Sequence, residues 1–269
     1  MKELLEAAFE RLITALGDME EITAIGKSGG PALPVAGDSD IDVFLFCDEM
    51  PCLEKRRAVL QAMGEEICVD SLGIVEGKYW GLIDFVRLQG VEVCLMYFTV
   101  DKTMEDVRSI REGERLEREN NYFYPTGRCA SILGMHVLQD RRGFLAGLKE
   151  SLLVYPAGLA RELATRHGCQ LRDSEDFERA VARKDVLFYH ATLYAAMDHF
   201  LQAIFALNRC YFPSRKRSLA YIEGFEKKPA DCAQRILRIV ALGGNADTIE
   251  QSYDMWTCLR EEFLAMLGF

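Results

Sequence analysis

The sequence predicts an α+β protein, a small mixed sheet with flanking helices over residues 1–142 and an all-helical bundle over 143–269. Three observations carry this expectation. Short β-like runs alternate with helical periodicity in the first half. Two of these runs, Ile83–Leu88 and Val91–Phe98, are joined by Gln89-Gly90, a hairpin signal. From Gly143 onward the apolar period is helical throughout.

Taken in order, residues 2–16 place Leu5, Phe9, Leu12 and Leu16 at helical spacing, and Gly17-Asp18 stop the helix. A short strand-like run, Ile22–Ile25, leads into a glycine-rich turn, and Asp40–Phe46 reads as a strong strand. LEKRRAVLQAMGEE reads as a helix ahead of the hairpin. A polar helix over about 102–118 follows, then a loop with Pro125 and Gly127, then an apolar run at Ile132–Leu138. The second half carries breaks at Pro156, Gly168, Pro213, Pro229 and Gly243-Gly244. Its most apolar segment, Val186–Leu207, contains His190, Asp198 and His199 and reads as a buried helix rather than a membrane span. Asp247-Thr248-Ile249-Glu250 has the form of a capping box opening the last helix.

At 269 residues the chain is long enough to bury a sizeable core, and 28% charged residues suit a water-soluble protein. The net charge of −10 argues against broad electrostatic binding to nucleic acid or anionic membrane. Nine cysteines are scattered without a C-x-x-C pair, as expected of reduced thiols in the cytoplasm. The acid-containing start MKELLEAAFERLITAL does not read as a secretory signal.

Gly26-Lys27-Ser28 ends like a phosphate-binding P-loop, but G-x-x-x-x-G-K-S would require glycine where Glu21 stands. The acidic pair that follows is more informative. Asp40 and Asp42 lie two apart at the head of a strand whose other face carries Ile41, Val43 and Leu45. Period-two alternation sends both carboxylates to one side, where they repel unless a cation lies between them. Hard oxygen donors at that spacing suit Mg²⁺ bridging to phosphates. A third carboxylate is expected on a neighbouring strand. Glu92, inside an apolar run, is the first candidate, and Asp84 on the other hairpin arm is its competitor.

Gly-x-Ser, a gap of about a dozen residues, Asp-x-Asp entering a strand and an acid on a later strand resemble the DNA-polymerase-β-like nucleotidyltransferase superfamily. GVEVCLM resembles the strand bearing the catalytic glutamate in aminoglycoside nucleotidyltransferases. The helical half, with ALNRCYFPSRKRSLAYI, is similar to the C-terminal domains of antibiotic (aminoglycoside and lincosamide) nucleotidyltransferases. The resemblance implies that Gly26, Lys27, Ser28 and Gly29 cradle a nucleoside triphosphate, ATP by preference. It implies that Asp40 and Asp42 bind Mg²⁺, and that Glu92 is third ligand, general base or both. Two departures stand out. Lys27 precedes Ser28 where the family commonly has an adjacent Gly-Gly or Gly-Ser, and the segment to Asp40 is slightly long and contains Pro31 and Pro34. Lys27 either contacts a phosphate or faces solvent.

Arg209, Arg215, Lys216 and Arg217 gather around Tyr211-Phe212-Pro213, either as a basic loop or as a source of charge for nucleotide phosphates, with Lys216 the first choice. Tyr122, Phe123 and Tyr124 either stack a substrate ring or pack their own loop. Glycosyltransferases also use Asp-x-Asp, but there it usually follows an apolar strand. Arg183 and His190 have the spacing of HEPN-type ribonucleases, which chance readily produces. The expected function is Mg²⁺-dependent transfer of a nucleoside monophosphate from an NTP to a hydroxyl of a small acceptor, releasing pyrophosphate. The alternative is a catalytically silent nucleotide-binding or toxin–antitoxin-type interaction module on the same fold.

Overall fold

The computed structural model describes residues 2–33, 39–75, 81–118 and 124–269. The chain forms two compact units, residues 1–110 with 117–154, and 111–116 with 155–269.

The first unit runs α1 (Lys2–Gly17), β1 (Ile22–Lys27), β2 (Ile41–Cys47), α2 (Leu53–Ala62), β3 (Ile67–Val75), β4 (Leu82–Leu88), β5 (Val91–Thr99), α3 (Val100–Arg111), α4 (Pro125–Gly134), β6 (His136–Asp140) and α5 (Phe144–Leu152). Among the described residues the strands form one mixed six-stranded sheet in the order β3-β4-β5-β2-β1-β6. The β2–β5 pair is parallel, and the other pairs are antiparallel.

One face of this sheet is the main core. Ile41, Val43 and Leu45 of β2 and Val91, Val93 and Leu95 of β5 pack against Leu5, Phe9, Leu12 and Leu16, the apolar stripe of α1. The alternate residues point to the other face, where Phe44 and Phe98 stack at 5.9 Å and Phe46 meets Phe144 of α5 at 5.4 Å between centroids. Alternation thus places Asp42 and Phe44 on one face and their neighbours in the core.

The second unit is helical: α6 (Ala157–Gln170), α7 (Glu175–Arg183), α8 (Val186–Leu207), α9 (Ser218–Gly224), α10 (Cys232–Gly243) and α11 (Ile249–Leu267). Phe200 of α8 contacts both Trp256 and Phe263 of α11, with centroid distances of 5.9 and 4.5 Å. The Tyr189 and Ser252 hydroxyls meet at 2.7 Å, and Ser252 Oγ donates to the Ile239 carbonyl. Among the described residues no helix is long and apolar enough to cross a membrane. The α+β expectation, a mixed sheet followed by helices, holds.

Several local expectations are corrected. Pro125 and Gly127 do not mark a loop; proline stands at the start of α4, where its missing N–H costs nothing. Gly168 does not break α6; it lets the Phe269 ring approach, since a Cβ there would lie 2.6 Å from it. The last helix starts where expected, but the capping box is not made: Thr248 Oγ1 donates to the Leu242 carbonyl at 2.6 Å instead.

Candidate active site

The acidic pair sits at the head of β2, beside the start of β5. In the parallel register Ile41 lies opposite Val93 and Asp42 opposite Cys94. Asp42 and Cys94 therefore share the face away from α1. Ligand atoms of Asp40, Asp42 and Cys94 all lie within 4.8 Å of one another. Asp40 is exposed, Asp42 half-buried and Cys94 buried. The cluster is thus open on the Asp40 side and closed behind the thiol.

Glu92 is not in this group. It lies two residues before Cys94 on the same face, about 6–7 Å along the strand, and is exposed. Its cross-strand neighbour on β4 is Arg87, which is committed to Asp70 at 2.9 Å. Among the described residues Glu92 makes no hydrogen bond or ion pair, so its carboxylate is open to a ligand.

Asp84 lies on the opposite face, since it pairs with Leu95 in the core register. Fully buried, it accepts from Arg56 of α2 and, at 2.8 Å, from the Gly73 amide. Arg56 also donates to the Pro51 carbonyl and stands over the Tyr97 ring. Asp84 is a structural ion-pair partner and not part of the acidic cluster.

The glycine-rich turn is tied to the cluster by the Ser28 amide, which donates to the Asp42 carbonyl at 3.0 Å. Lys27 neither faces solvent nor points toward the acids. Its buried ammonium donates to the carbonyls of Ser28 (3.2 Å), Gly30 (2.5 Å) and Ala32 (3.2 Å). Burial lowers its pKa. The turn is thus wrapped around its own cation. Gly29 has φ +76°, a left-handed conformation that glycine adopts without strain. Among the described residues the Gly29 and Gly30 amides are used in no hydrogen bond. Gly26 has a packing role: a Cβ there would lie 2.0 Å from Met135 Sδ. Pro34 lies outside the described residues.

In the second unit Lys216 is exposed, and its ammonium makes no hydrogen bond among the described residues. Arg215 is held by Asp198 at 2.6 Å and stacks over Tyr194 at 3.9 Å. Tyr122 and Phe123 lie outside the described residues. Tyr124 is buried, and its hydroxyl accepts from Arg118 at 3.2 Å, so it packs at the start of α4.

Sequence reasoning passed over Cys94 as one thiol among nine. The signal was its place two residues after Glu92, on the same face; what was missing was the register against β2. The donor set also bears on the metal. Two carboxylates fit the Mg²⁺ that the acidic motif suggests, but a thiol does not, because Mg²⁺ takes oxygen donors almost exclusively.

A family described as a domain of unknown function (DUF4037) matches residues 124–217, a stretch that contains Arg215 and Lys216 and none of the acidic cluster. No curated protein matches the sequence. Among solved structures the chain is similar to a nucleotidyltransferase-like protein from Exiguobacterium sibiricum. The identity is 12% and the TM-score 0.47, over 97% of this chain and 74% of the other. That likeness assigns neither substrate nor residue roles.

Proposed function

We propose that the first unit transfers a nucleoside monophosphate from an NTP, ATP by preference, to a hydroxyl of a small acceptor. The observation that carries this reading is the convergence of Asp40 and Asp42 beside a glycine turn tied to Asp42 through the Ser28 amide. The Ser28 hydroxyl and the Gly29 and Gly30 amides receive triphosphate oxygens, with Lys27 holding the turn's carbonyls away from the anion. A divalent cation held by Asp40 and Asp42 supplies the positive charge that offsets the triphosphate and the leaving pyrophosphate. Glu92 accepts the proton of the acceptor hydroxyl as its oxygen bonds to the α-phosphorus and the bond to the β-phosphate oxygen breaks.

The test is pyrophosphate release by the full chain with NTP, a divalent cation and a panel of hydroxyl-bearing acceptors. Release that disappears in both Asp40→Asn and Asp42→Asn supports the reading; release that survives in both excludes it.

The place of Glu92 outside the Asp40–Asp42 cluster, among the described residues, favours a second reading: a module that binds nucleotide without turnover. Nucleotide binding that depends on Asp42, with no pyrophosphate released under any acceptor, selects it.

A further inference from the structure

We propose that Cys94 is the third protein donor of the metal centre, and that the site selects a thiophilic divalent cation of the Zn²⁺ or Co²⁺ type over Mg²⁺. This rests on the reading of Asp40 and Asp42 as metal ligands.

Two observations carry the inference. The first is positional: the parallel register sets Cys94 directly across from Asp42, with the donor atoms of all three residues within 4.8 Å of one another. The second is the character of the position. Cys94 is only 8% exposed, and its side chain points to the face that carries the carboxylates, not into the α1 core. Phe44 and Met96 fill the nearby same-face sites with large apolar side chains, whereas Cys94 places a sulfur beside the carboxylates.

Donor chemistry then decides the metal. Mg²⁺ requires near-octahedral oxygen coordination and gains little from sulfur, whereas Zn²⁺ and Co²⁺ bind mixed thiolate and carboxylate donors well. Binding exchanges the Cys94 S–H bond for a metal–sulfur bond, and the proton leaves to the buffer. Three protein donors with Asp40 exposed leave open positions on the solvent side, the arrangement of a catalytic rather than a closed structural metal site. Glu92, one step along the face, is outside the donor group and free to work on substrate.

The experiment is a titration of the reduced, metal-free full chain with Co²⁺, following thiolate-to-cobalt charge-transfer absorbance, with Mg²⁺ and Zn²⁺ affinities measured by calorimetry. Wild type is expected to show the band. Cys94→Ser, nearly isosteric and checked for folding by circular dichroism, loses it and binds Zn²⁺ at least about tenfold more weakly, a loss that even an outer-shell partner can cause. Its Mg²⁺ affinity stays unchanged. Asp42→Asn loses the band too, which separates this site from the other eight thiols. Cys94→Asp is expected to shift preference toward Mg²⁺. Co²⁺ binding that needs Asp40 and Asp42 but lacks the band, or keeps it in Cys94→Ser, overturns thiol ligation and leaves the carboxylate metal site standing. Divalent binding indifferent to Asp40→Asn and Asp42→Asn overturns both.

Discussion

The Lys27 ammonium lies 2.5 Å from the Gly30 carbonyl oxygen, three residues further along the chain, and closes the glycine turn from inside. Lys27→Met is therefore expected to destabilise the protein by about 1–3 kcal/mol, through lost charge-assisted bonds. Nucleotide affinity falls with it, because the turn must then be ordered on binding. Urea unfolding and nucleotide titration check this together. Weaker nucleotide binding with unchanged stability would mean that Lys27 touches phosphate directly.

Asp40→Asn and Asp42→Asn are each expected to abolish metal-dependent NTP binding while leaving the fold intact, since each removes a ligand charge and a like-charge repulsion. Calorimetry with the metal–NTP complex is the measurement. Unchanged affinity in both variants counts against any metal at this position.

Glu92→Gln is expected to keep nucleotide binding and to lower turnover by about 10²–10⁴, the range for a lost general base. Loss of nucleotide binding in this variant would place Glu92 among the ligands instead.

Asp84→Ala is expected to cost about 3–5 kcal/mol, because it leaves the Arg56 guanidinium buried without its partner. The double variant Arg56→Met with Asp84→Leu recovers much of that loss. A double-mutant cycle by urea unfolding resolves the coupling. Nucleotide affinity of the folded fraction stays at the wild-type value, since the pair lies on the face away from the acids.

In the second unit His167 Nδ1 and His199 Nδ1 meet at 2.9 Å. Burial, with His199 and Arg166 adding to it, pushes the His167 pKa down from 6.5 to about 3. Between those values the unfolded chain binds the proton and the folded chain does not, so stability falls as pH falls. The slope reaches about 1.4 kcal/mol per pH unit. Urea midpoints between pH 7 and pH 4 measure it, and His167→Gln is expected to flatten the curve.

The long apolar strands β2 and β5, and the Gln89-Gly90 turn, with φ of +50° and +82°, were legible because local pattern and tertiary role agree there. β3 was not. It is an edge strand interrupted by Asp70, Ser71 and Gly73, and much of its length is exposed, so no apolar alternation marks it. Asp40 and Asp42 could be singled out from their own spacing. Cys94 could not, because its meaning depends on which strand lies beside β2. Lys27 was ambiguous for a related reason: the carbonyls that hold it are created by the path of the turn, which side-chain types do not encode.

The parallel pairing of β2 with β5 also has a kinetic consequence. Asp42 and Cys94 are joined by a crossover containing α2, β3 and β4, so their contact forms only after about fifty residues have found their places. Closing such a loop is slow relative to the helices and the β4–β5 hairpin, which need only neighbours in sequence. During refolding, helical signal should therefore return first and tight metal capture last. The metal site would then serve as a clock for the completed sheet.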